Sequence, residues 1–137
     1  MKTVPPNVEL LALAEALATY MPRFIPLGAY VTIINGTAYD VDNDGVVLDL
    51  SSFGLPAGMK AVALSITGTC PTAAKWFRVG PDSTNNNHVE LREPVANGWI
   101  CVSGICGCDA NGDSYVTTDA VHGAEFTIYA RVTGYWI

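Results

Sequence analysis

The sequence predicts an all-β protein, an antiparallel two-sheet β-sandwich of jelly-roll type preceded by one N-terminal α-helix. Three observations carry this. Thirteen glycines and eight prolines in 137 residues leave little room for a mostly helical chain. Half the residues are apolar and only 15% are charged, which supplies a packed core for a single domain. From Leu27 onward, short β-branched and aromatic runs alternate with turn chemistry about every 8–12 residues, the spacing of a sandwich.

The helix is expected over Asn7 to Met21. Asn7 is a suitable N-cap, Glu9 in the first turn complements the macrodipole, and Pro22 and Pro26 end the run. Leu10, Leu13, Ala14, Leu17 and Met21 form one stripe at helical spacing, and Val8, Leu11 and Ala18 widen it. Glu9, Glu15 and Thr19 are the main relief of the apolar cover. A surface helix normally shows one apolar band, so this one needs two burial partners, and a second copy of the chain is the simplest second partner. Residues 1–26 are therefore read as an assembly or attachment segment and residues 27–137 as the sandwich, with Val8, Leu10, Leu11, Leu13, Leu17 and Met21 as the attachment residues.

Nine strands are expected: 29–34, 38–41, 46–50, 60–67, 75–79, 88–91, 98–103, 114–118 and 126–133. Asn35-Gly36, Asn43-Asp44-Gly45, the polar run 81–87, Asn97-Gly98 and Asn111-Gly112-Asp113 separate them, since Asn and Gly tolerate positive φ. Alternation is clearest where Val62, Leu64 and Ile66 face away from Ala61, Ala63 and Ser65. It recurs where Phe126, Ile128, Ala130 and Val132 face away from Thr127, Tyr129, Arg131 and Thr133.

Thirteen acidic residues against seven basic ones give a formal charge of −6. That balance speaks against nucleic acid and anionic membrane surfaces as partners. The apolar stretch near the N-terminus is interrupted by Glu9 and Glu15, and Pro5-Pro6 sits where a charged leader region would be. A soluble protein made in the cytoplasm, without a secretory signal or a membrane span, is the expectation.

Four candidate sites arise from side-chain chemistry. Asp40, Asp42 and Asp44, followed by Gly45, match the opening of a calcium loop, but its twelfth position is Ser51 rather than Glu. A turn between two strands explains the same residues without an ion, so no cofactor is expected and calcium stays as the alternative. Cys70, Cys101, Cys106 and Cys108 are candidates for disulfides within or between chains, or for buried free thiols. Their Cys-x4-Cys-x-Cys spacing does not suit zinc. His88 and His122 lack any partner motif, and no nucleophile elbow or phosphate loop is present, so an enzyme is not expected. Tyr135 and Trp136 near the C-terminus need pinning in their own sheet or against a neighbour, and they join the candidate attachment residues.

The stretch Val47-Leu48-Asp49-Leu50-Ser51-Ser52-Phe53-Gly54-Leu55-Pro56-Ala57-Gly58-Met59-Lys60-Ala61-Val62-Ala63-Leu64-Ser65-Ile66 resembles small β-sandwich modules of bacteriophage virion proteins, found in head fibres, capsid decorations and tail-fibre tips. Trp76-Phe77-Arg78-Val79-Gly80, the strand before the polar Asn111-Gly112-Asp113 turn, and Gly134-Tyr135-Trp136 are similar to the same modules. The resemblance implies a non-enzymatic structural or receptor-facing module on the virion surface. It also implies a homo-oligomer, often a trimer, whose partners are other virion proteins and a host surface glycan. The cysteine-rich segment departs from that pattern, and a short helix stands where a fibre would have a long stem, which favours a decoration. Two alternatives remain on the sequence: a lectin-like domain reading carbohydrate through exposed Trp or Tyr, and a subunit of an extracellular filament.

Overall fold

A computed structural model describes residues 10–15, 21–39, 45–84, 87–119 and 126–137. Residues 10–15 are helical. Eight strands follow: β1 (Phe24–Tyr39), β2 (Val46–Leu48), β3 (Ala61–Thr69), β4 (Trp76–Gly80), β5 (Val89–Arg92), β6 (Ile100–Gly107), β7 (Ser114–Thr118) and β8 (Phe126–Trp136). They form two four-stranded sheets, sheet A in the order β1-β8-β3-β6 and sheet B in the order β2-β7-β4-β5. All pairings are antiparallel. The chain changes sheet at every connection except β4–β5, and this crossing pattern is the jelly roll that the strand spacing predicts.

The inward face follows the period-two rule. Val62, Leu64 and Ile66 of β3 are buried, as are Phe126, Ile128, Ala130 and Val132 of β8. Phe77 from sheet B meets Phe126 from sheet A with ring centroids 6.0 Å apart and planes tilted by 55°. Such a pair contributes about 0.5–1.5 kcal/mol beyond the area it buries, and here it ties one sheet to the other.

The stretch around Asp49 closes one end of the sandwich. Asp49 caps a 3-10 turn, Leu50–Phe53, by accepting from the Ser51 N–H at 2.9 Å, and Gly54 ends the turn at φ 83°. Leu50, Leu55 and Met59 plug the core from this segment. The Asp113 carboxylate accepts from the Leu50 N–H at 3.1 Å and so ties the plug to the 109–113 turn.

Two expected strands are one. Asn35-Gly36 is not a hairpin turn but an irregularity inside β1, where the register with β8 shifts between Asn35 and Ala38 and Gly36 sits at φ 66°. Glycine's freedom at positive φ serves a bulge as well as a turn. The sheet also begins earlier than residue 27. Pro26 lies within β1 opposite Gly134, tolerated because β1 is an edge strand. β6 runs past the expected Ser103 to Gly107 and takes in Cys106.

Candidate functional site

The described part of the N-terminal segment is apolar and unsheltered. Leu10, Leu11 and Leu13 are 66%, 61% and 57% exposed, and Met21 is 63% exposed. The sandwich core closes without them. Val8 and Leu17 lie outside the described residues, as do Asp40, Asp42, Asp44 and His122. No helix among the described residues is long and apolar enough to cross a membrane.

The C-terminal aromatics are occupied by their own chain. Trp136 pairs with Phe24 on β1 and Ala61 on β3, and its ring lies 4.6 Å from that of Phe24. Tyr135 is half-buried against the core. The last residue is tied down as well, because Arg23 and Ile137 exchange both backbone hydrogen bonds, at 3.0 and 3.1 Å. Of the two pinning surfaces expected for this end, the protein's own sheet supplies one, at β1.

Register separates the cysteines, and all four are free thiols. Cys106 stands opposite Val62, and Cys70 lies past the far end of the same β3 strand. Eight residues of strand put them roughly 26 Å apart, far beyond the separation of about 7 Å that a disulfide can span. Cys101 stands opposite Thr67 on the outer face, while the Cys106 thiol points inward toward the Val79 carbonyl at 3.3 Å. Of the readings left open for the cysteines, disulfides within or between chains or free thiols, the structure holds the free thiols. Burial, reinforced by the neighbouring Cys108, pushes the Cys106 thiol up to about 12. Burial, with Asp109 and Asp113 adding to it, pushes Cys108 up to about 11. Cys101 goes the other way: hydrogen bonds from Thr67 and Ser65 and the charge of Arg131 hold its thiol below the ordinary value. No group of three or more metal-ligating side chains occurs among the described residues.

Glu93 is a feature the sequence reading missed. It is fully buried where β5 runs into the 93–98 loop, and neither carboxylate oxygen has a hydrogen-bond partner. A Cβ on Gly98 would stand 2.9 Å from Oε1, so the loop packs directly on the carboxylate. In sequence Glu93 follows Arg92 and precedes a proline, which reads as an ordinary exposed turn.

The outer faces of the two sheets are unlike. On sheet B, Glu90 accepts from the Nε of both Arg78 and Arg92, and the Arg78 guanidinium lies 3.9 Å from the Trp76 ring centroid. On sheet A, Arg131 lies 4.7 Å from the Tyr30 ring, and Trp99 stacks beside Tyr129 with centroids 6.3 Å apart.

The fold class is thus an eight-stranded jelly roll with a short N-terminal helical segment. No family model matches the chain and no curated protein matches it. Among solved structures, a chain of a Nora virus structure is similar at 12% identity and a TM-score of 0.41. The alignment covers 85% of this chain and 60% of that one, so this chain spans less than two thirds of it.

Proposed function

We propose that the protein is a non-enzymatic virion structural protein, a phage capsid decoration or fibre component, that assembles through its N-terminal helical segment and displays the jelly roll. One observation carries the reading: Leu10, Leu11, Leu13 and Met21, all earlier in the chain than β1, stand in solvent, while the sandwich core is complete without them. Burying such side chains contributes about 25 cal/mol per Å² of apolar area removed from water, which a partner surface can supply. Jelly rolls serve capsids and lectins alike, and the resemblance in the 47–66 stretch favours the first.

The test has two parts. The full chain is compared with a Leu10→Glu/Leu13→Glu double variant by size exclusion with light scattering, and particles purified on a density gradient are analysed by mass spectrometry. The reading expects association that the double variant weakens, together with the protein in the particle fraction. A stable monomer at micromolar concentration that is absent from particles contradicts it.

A further inference from the structure

Sheet A has an outer face that the described residues leave uncovered. Tyr30, Trp99 and Ile105 on or beside it are 58%, 58% and 60% exposed. Its four strands contain a single charged residue, Arg131, and none of the chain's thirteen acidic residues falls within them. Both edges of the sheet, β1 and β6, lack the lysines and glutamates that normally discourage edge and face association.

We infer that this face is where a second copy of the same chain docks, sheet A against sheet A. Composition is the first argument. Interface centres are enriched in Tyr, Trp and Arg and depleted of Lys, Glu and Asp, and Tyr30, Trp99, Tyr129 and Arg131 reproduce that pattern here. Electrostatics selects the occupant. Two copies each carrying a formal charge of −6 repel through acid-bearing surfaces and can meet where no acid stands. A partner of opposite charge would instead be drawn outside both sheets, where every acidic residue except Glu90 lies. Size is the third argument. Four strands about 4.8 Å apart and about eight residues long give a face of roughly 500 Å². Two copies then cover about 1,000 Å², the floor for a specific interface. The inference adds a surface to the assembly reading and does not depend on the helical segment making the first contact.

Sedimentation velocity of the full chain under reducing conditions tests it, with wild type compared with Ile105→Glu. The exposure of Ile105 lets a carboxylate replace it without disturbing the core, and circular dichroism confirms the fold. Val95→Glu is the control, because Val95 is exposed on the 93–98 loop, outside both sheets. Wild type and Val95→Glu are expected to associate at micromolar concentration, and Ile105→Glu to associate at least tenfold more weakly. Alkylation of Cys101 by iodoacetamide gives a second readout, since its thiol is exposed on this face. It should run at least tenfold slower in associated wild type than in Ile105→Glu.

Undiminished association of Ile105→Glu with Cys101 freely alkylated overturns the inference. If the Leu10→Glu/Leu13→Glu variant alone loses association, the sheet surface fails and the helical reading stands; loss in Ile105→Glu alone does the reverse. A monomeric wild type also overturns it, and quenching of Trp99 fluorescence by saccharides would then assign the face to glycan.

Discussion

The two sheets of this sandwich share one core and differ on the outside. Sheet B is short-stranded and holds an ion cluster on its outer face, with Glu90 between Arg78 and Arg92. Sheet A is long-stranded, carries Arg131 as its one charge, and presents aromatics and small side chains. Charged side chains keep a sheet surface in water, and their reduction to one over a whole sheet marks a surface suited to company. In one small jelly roll, then, the inner faces determine the fold and the outer faces determine what the fold meets.

The largest effect should come from what the sheets share. Phe77→Ala or Phe126→Ala removes a fully buried ring from the junction between them and should cost about 3–5 kcal/mol in denaturant unfolding. Similar losses from the two sides would show that the sheets unfold as one unit. A loss confined to one side would split them.

Next is the buried carboxylate at the end of β5. Glu93→Met replaces an unpartnered, fully buried carboxyl group with a side chain of similar length. It should stabilise the chain by about 2 kcal/mol, the scale of an unsatisfied buried polar group. Destabilisation in the same unfolding assay would mean that the carboxylate is satisfied in solution.

On sheet A, Gly36→Ala puts a methyl against the Tyr129 ring at a positive φ. A cost of about 1–2 kcal/mol follows from the backbone conformation alone, and displacement of Tyr129 should also weaken self-association. A variant that loses stability but associates normally would separate the β1 bulge from the outer face.

The smallest effect belongs to the sheet B ions. Burial raises the Glu90 carboxyl, but hydrogen bonds and charge from Arg78 and Arg92 outweigh it and hold it below the ordinary value. A lowered folded value means that this stabilisation is present above the unfolded pKa of about 4.3 and is lost as pH falls below it. Glu90→Gln should therefore cost no more than about 1 kcal/mol at pH 7 and flatten that part of the acid limb. High salt should shrink the difference. Sheet A, with no carboxylate in its strands, should contribute nothing to that limb.

Much of the fold was legible in the sequence. β3, β7 and β8 were readable because alternation, or a run bounded by turn residues, marks a half-buried strand. The end of β6 was not, because cysteine serves equally as a core residue, a ligand or a bridge, and only the pairing of Cys106 with Val62 shows which. Asn35-Gly36 misled because a turn and a bulge ask the same of glycine. The charge-free runs 24–39, 61–69 and 100–107 are plain in the sequence. What no local pattern shows is that they pack into one sheet, since pairing in a jelly roll is long-range: β1 lies beside β8 and β3 beside β6.

Hydroxyl-radical footprinting across a concentration series compares the two outer faces in a single experiment. Tyr30 and Trp99 on sheet A should become protected as protein concentration rises, while Trp76 and Tyr115 on sheet B keep a constant rate. Equal rates for all four residues at every concentration would contradict the account.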